Sequence, residues 1–243
     1  CVTSMDADHL DIYGNASAIE ASFREFADKI SDKSKLFVPK HLDLEGVTVA
    51  INELADFYAT HVRIQNGTYV FDVVTPLETI KDVQFSLPGH HNLMNALMAL
   101  AMAKTYGIAN DAICSALASF QGIKRRFSYQ IKNDKQVFID DYAHHPTEIN
   151  AVYQAVKELY PEKKVLAIFQ PHLFSRTKDF AEGFAQSLAA FDEVYLMDIY
   201  PARELPIEGI TSEWLLGKID NPNKKLVSKT NLINEVMCNN ADV

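Results

Sequence analysis

Cysteine is scarce. Cys1, Cys114 and Cys238 are scattered along 243 residues, which leaves no disulfide framework and no Cys-based metal spacing. That usage fits a reducing, cytoplasmic setting. No apolar run approaches the roughly 20 residues that a membrane-spanning helix needs, and no signal-peptide pattern is present. Positive charge is in deficit: 23 Lys and Arg face 32 Asp and Glu, a net charge of −9. This argues against a bulk nucleic-acid or membrane-surface role, while leaving room for a local basic pocket. Glycine is also sparse, and none of the 9 residues fits a GxxxxGK[ST] phosphate loop, since Gly217-Lys218 is followed by Ile219.

What is present is ordinary for a globular chain, with 48% hydrophobic and 23% charged residues. The length suits one large or two ordinary domains. Residues 1 to about 12 read as an Asp-rich loop with one His. Ile19, Phe23, Phe26 and Ile30 then recur at helical spacing and predict an amphipathic helix over 16–30. Leu36 to Val38 reads as a short strand. From Val47 to Leu87 β-branched and aromatic residues dominate, and Asn66-Gly67 between two such runs predicts a hairpin. A helix rich in Ala, Leu and Met follows from His91 to about Tyr106, closed by Gly107. Another runs from Asp111 to Phe120, and Gln121-Gly122 marks a domain boundary, giving domains 1–122 and 123–243.

The most informative stretch is Val137 to Asn150, VFIDDYAHHPTEIN. An apolar run ends in two carboxylates, a Tyr and two His. Pro146 then fits a first helical position, with Glu148 in the first turn. Polar residues thus sit between the carboxyl end of a strand and the start of a helix, where open α/β sheets bind ligands. The same order recurs in Lys164–Phe169 followed by QPHLFSRT, and in Val194–Ile199 followed by YPARELPIEGI. Three such repeats predict an α/β fold with a parallel sheet that includes the strand at Val137. Right-handed crossovers would gather Asp140, Asp141, His144, His145, His172, Arg176 and Arg203 on one rim.

Taken singly, most of these residues have duller explanations. Lone histidines are usually structural or solvated, and Lys124-Arg125-Arg126 alone is a charge run. The pairs His90-His91 and His144-His145 suggest a zinc hydrolase only weakly, because no HExxH or Cys/His spacing accompanies them. Asp6-Ala7-Asp8-His9 has donors for a hard cation but too few for Mg²⁺. Recurrence at three strand ends, with cations, donors and acceptors suited to an anionic substrate, raises the rim above that background.

Six stretches then fall in order: MDADHLDIYG, PGHHNLMNALMALAMA, GIKRRF, DDYAHHPTEI, FQPHLFSRT and DIYPARELPIEGI. Together they resemble the Mur ligases of bacterial cell-wall synthesis, and the DDYxHHPTE and FQPHxxxRT pair is the most specific part. The resemblance implies the latter part of a central ATPase-like domain over 1–122, then most of a Rossmann-like domain over 123–243. The family's amino-terminal domain, its phosphate loop and a Gly-rich last strand would lie outside these residues, as would a Glu ligand to Mg²⁺. It further implies ATP and Mg²⁺, and ligation of L-alanine to UDP-N-acetylmuramate through an acyl phosphate. A murein-peptide recycling ligase shares HHPT but lacks the FQPHxxxRT loop. A nucleotide- or substrate-binding module without catalysis is the other alternative, and the 243 residues alone are expected to be inactive.

By motif match, the resemblance makes His9 a Mg²⁺ ligand. His91, Asn92 and Asn95 would lie by the nucleotide, Arg125 or Arg126 would reach phosphate, and Asp141 would bind nucleotide. Tyr142 and His144 would sit near the reacting phosphate and amino acid, with His172 and Arg176 orienting the acceptor. Two departures stand out. Leu173 occupies a place where many members carry Arg, and Arg203 one where some carry Gly.

Overall fold

Residues 1–8 and 10–243 are described by the computed structural model. They fall into two units, Cys1–Gly122 and Ile123–Val243. The first unit runs α1 (Leu10–Tyr13), α2 (Ala16–Asp28), β1 (Phe37–Pro39), β2 (Val47–Ile51) and β3 (Phe57–Gln65). It continues with β4 (Thr68–Val74), β5 (Thr79–Phe85), α3 (His90–Thr105) and α4 (Asn110–Ser119).

The opening stretch is not all loop, because α1 forms within it. Gly14, at φ 82°, closes that turn by donating its N–H to the Leu10 carbonyl at 2.8 Å. Asn15 then caps α2 through Ala18 N at 3.0 Å. The buried stripe of α2 differs from expectation in one residue. Phe26 is 56% exposed, whereas Ala27 packs with Val2, Leu36 and Val38. The stripe runs through Phe23 and Ile30, which brings Ala27 inside and leaves Phe26 beyond its edge.

The five strands form one sheet in the order β1-β2-β3-β4-β5, parallel through β3 and antiparallel after it. The predicted hairpin joins β3 to β4, with Asn66 at φ 53° and Gly67 at φ 76°. Two successive left-handed residues give the twist that a two-residue hairpin needs. Leu93, Ala96, Leu97, Leu100 and Ala101 of α3 recur at threes and fours and are buried with Phe37, Val49, Phe71 and Val73 of the sheet.

The second unit begins with the antiparallel pair β6 (Ser128–Lys132) and β7 (Val137–Asp140), then α5 (Pro146–Leu159) and β8 (Leu166–Phe169). After these come α6 (Phe174–Asp179), α7 (Ala181–Ala189), β9 (Glu193–Leu196), α8 (Ser212–Lys218), β10 (Lys224–Leu226) and α9 (Leu232–Met237). Strands β8, β9 and β10 form a parallel sheet in the order β10-β9-β8.

One expectation is corrected here. β7 is not a strand of the parallel sheet: it pairs antiparallel with β6, and it makes no ladder with β8. Asp242 and Val243 lie between β7 and β8: Val137 N donates to Asp242 O, and Leu166 N to Val243 O, both at 2.9 Å. Beside them is an apolar cavity of about 310 Å³ lined by Phe138, Ile139, Leu166, Ile168 and Val236. Among the described residues no helix is long and apolar enough to cross a membrane.

Leu97 is fully buried under the first sheet. Leu97→Ala is expected to cost about 2–5 kcal/mol of stability, read as a lower urea midpoint with little change in slope.

Candidate functional site

The loop after β7 is braced by its own carboxylate. Asp141 Oδ2 accepts Phe127 N at 2.7 Å, and Oδ1 accepts Ala143 N at 2.8 Å. Tyr142 N donates to Arg125 O at 2.9 Å, and the Arg125 guanidinium lies 4.6 Å from the exposed Tyr142 ring. His145 is the N-cap of α5, accepting Thr147 N on Nδ1 at 3.3 Å. Pro146 follows at the first helical position, where its missing N–H costs nothing.

These braces aim His144. Its backbone N–H donates to Glu148 Oε2 at 2.8 Å, and its Nδ1 lies 2.9 Å from the Tyr142 carbonyl and 3.2 Å from Glu148 Oε2. With two oxygen acceptors at Nδ1, a proton belongs on that nitrogen. Glu148 also pairs with Arg126 at 3.5 Å. Sequence reasoning placed Glu148 only by its dipole preference. Its position three residues after the cap was the signal that it would reach back to the loop.

The loop after β8 is shaped by a strained residue. Leu173 has φ 71° and ψ 138°, a region that side chains other than glycine seldom enter. It is held by Leu173 N donating to Tyr200 O at 3.0 Å and by Thr177, whose N and Oγ1 donate to Leu173 O. His172 makes a parallel bridge to Tyr200, and the two rings stack at 5.6 Å. Arg176, only 6% exposed, brings Nη1 to 3.5 Å from His172 Nδ1.

His172 feels the whole rim. Burial comes first, then the positive charges of Arg176 and His144, in pushing its imidazole below the ordinary value; Arg203 adds to this and Glu204 opposes it. The ring is therefore neutral at pH 7. His144, His172, Arg176 and Arg203 thus share one electrostatic neighbourhood, although they come from three loops. The left-handed residue of the third loop is Ala202, at φ 50°, rather than Arg203. Glu204 was missed in the sequence. It accepts Ser175 N at 3.0 Å and Ser175 Oγ at 2.5 Å, a contact 29 residues apart that no local pattern announces.

The other expected residues are placed as follows. Asn92 and Asn95 lie one turn apart on α3, and Asn92 Nδ2 donates to Pro88 O at 2.7 Å, so one of its donors serves the helix start. His91 is exposed in the same first turn. Arg125 approaches Asp140 at 3.7 Å. His9 lies outside the described residues. Among the described residues no three of His, Cys, Asp and Glu are grouped to hold a metal ion.

Two family models match this chain: the Mur ligase middle domain over residues 1–103, and the Mur ligase glutamate ligase domain over residues 125–238. The chain belongs to the Mur ligase family. Relatives named UDP-N-acetylmuramate–L-alanine ligase include one from Flavobacterium johnsoniae, 70% identical over 243 residues, covering 100% of this chain and 54% of that relative. Another, from Christiangramia forsetii, is 62% identical with the same coverage of each. The chain spans about half the length of the curated relatives it matches.

Two solved structures agree on the Mur ligase fold. The UDP-N-acetylmuramate–alanine ligase MurC of Thermotoga maritima superposes with a TM-score of 0.74 at 23% identity, over 97% of this chain and 52% of that one. MurF of Acinetobacter baumannii gives 0.73 at 20% identity, over 96% and 52%. The Mur ligase fold thus accounts for both the mixed five-stranded sheet and the parallel sheet of the second unit.

Removing the guanidinium beside His172 removes a cause of its depressed titration. Arg176→Met is expected to raise the His172 midpoint, followed by NMR of the imidazole C–H signals. An unchanged midpoint would mean that Arg176 is not among the causes of the depression.

Proposed function

We propose that this Mur ligase joins L-alanine to UDP-N-acetylmuramate with cleavage of ATP, in the cytoplasm, as a step of peptidoglycan precursor synthesis. The muramoyl carboxylate attacks the terminal phosphorus of ATP and forms an acyl phosphate, releasing ADP. The alanine amine attacks that carbonyl, and the tetrahedral intermediate expels phosphate as the amide forms. Anions are brought together in each step, so fixed cations must offset their repulsion.

The observation that carries this reading is a neutral imidazole beside a nearly buried guanidinium, within a rim of further cations. Names borne by relatives 70% and 62% identical support it. In this proposal the Arg176 fork takes the alanine carboxylate through two parallel hydrogen bonds. His172, neutral, accepts a proton from the attacking ammonium, and His144 presents its ring to the departing phosphate with Tyr142 alongside. His91, Asn92 and Asn95 face the nucleotide in the first unit. Arg125, Arg126 and Asp141 serve the nucleotide side in the second.

Mg²⁺ belongs to the proposed reaction, with His9 as its ligand from this chain. The described residues do not assemble a donor set for it, and none of the steps above is routed through it.

The test is phosphate release by the encoded protein, expected to require ATP, UDP-N-acetylmuramate and L-alanine together. Release that ignores L-alanine would overturn the reading. His172→Ala and Arg176→Ala are each expected to lower kcat/KM for L-alanine about a hundredfold while the KM for ATP holds.

A further inference from the structure

We infer, on the ligase reading above, that Glu204 is a positioning residue for the acceptor end of the site: from the loop after β9 it fixes the first turn of α6, and so the aim of His172 and Arg176. The turn it holds is not one the chain adopts freely. Leu173, between His172 and Phe174, sits at φ 71° and ψ 138°, and such a conformation persists only where its surroundings over-determine it. Two fasteners act directly on Leu173, through Tyr200 O and through Thr177. Glu204 supplies a third, two residues further on, by taking both the N–H and the hydroxyl of Ser175.

Ser175 lies immediately before Arg176, and the Ser175 backbone therefore carries the guanidinium. The loop that bears Glu204 also bears Tyr200, whose ring stacks on His172 and whose backbone bridges to it. One loop thus contacts both acceptor-side residues, once by stacking and once through Ser175. Glu204 N donates to Pro201 O at 2.9 Å, and Ala202 at φ 50° makes the bend that turns the carboxylate back toward α6.

The carboxylate is also chemically fit for this task. Burial alone would raise its titration, yet the Ser175 hydroxyl and N–H, the Phe174 N–H and His172 hold it below the ordinary value. It therefore stays ionised at neutral pH. A charged carboxylate accepts these bonds more strongly than a neutral amide would. Its negative charge also offsets part of the repulsion that Arg176 and Arg203 exert on a protonated His172.

Two measurements test the inference. In the ligase assay on the encoded protein, Glu204→Gln is expected to raise the KM for L-alanine about tenfold, with kcat and the KM for ATP held within about twofold. Ser175→Ala is expected to do the same to a lesser degree, and the double variant to be no worse than Glu204→Gln. In the 243-residue chain, an NMR titration of Glu204→Gln is expected to move the His172 midpoint further down. Glu204→Asp, which keeps the charge, is expected to restore that midpoint.

Equal rises in the KM values for L-alanine and ATP, or additive effects of the two substitutions, would overturn the positioning role. So would an unmoved His172 midpoint. Should Glu204→Gln fail to fold, Ser175→Ala reads the same bond from its other partner. If the unsubstituted protein does not ligate L-alanine, the ligase reading itself fails, whereas the His172 titration still decides whether Glu204 governs that ring.

Discussion

Crowding of like charge is the constraint on which the second unit depends. Two unit charges 4 Å apart repel by about 4 kcal/mol at an effective dielectric constant of 20, and the rim sets Arg176, Arg203 and His144 around His172, which stays neutral in their field. Flexible side chains would simply swing apart. Three of these groups are tied: His144 by the Tyr142 carbonyl and Glu148, His172 by Tyr200, Arg176 by its own burial. The carboxylates nearby are anchored to backbone N–H groups, as Asp141 is to Phe127 and Ala143, and Glu204 to Ser175. Anions held in this way steady the cations while their own positions are set by the chain. The rim is thereby held in one arrangement by the chain around it.

Much of this was legible in the sequence wherever the signal was local. The Asn66-Gly67 turn, the capped start of α5 at His145-Pro146 and the buried stripe of α3 all follow from rules that operate within a few residues. The strand-loop-helix repeats also announced that His144, His172 and Arg176 would converge. What escaped was long-range or backbone-specific. β7 reads like any strand of a parallel sheet, yet Asp242 and Val243, about a hundred residues further on, lie between it and β8. Glu204 is one acidic residue in an irregular loop, and its partner Ser175 lies in a different loop. The bend of the third loop falls on Ala202, and the φ of a single residue has no sequence signature without a glycine. Phe26 and Ala27 exchanged roles because hydrophobicity alone does not say where the centre of a helical stripe lies.

The two loops at the rim are built differently. The one after β7 has no left-handed residue: a capped helix start, a proline where it fits, and an Asp brace across two N–H groups. The one after β8 stores strain in Leu173 and relies on neighbours to keep it. Strain at such a point is stabilised by the rest of the fold and gives a preorganised geometry in return. A leucine here, instead of the arginine that the family resemblance led us to expect, also takes one more positive charge off an already crowded rim.

The small positive rim sits on a chain whose net charge is −9. At physiological ionic strength fields fade over roughly 8 Å, so an approaching polyanion meets the bulk repulsion early and the rim's pull only late. Long range and short range therefore have opposite signs.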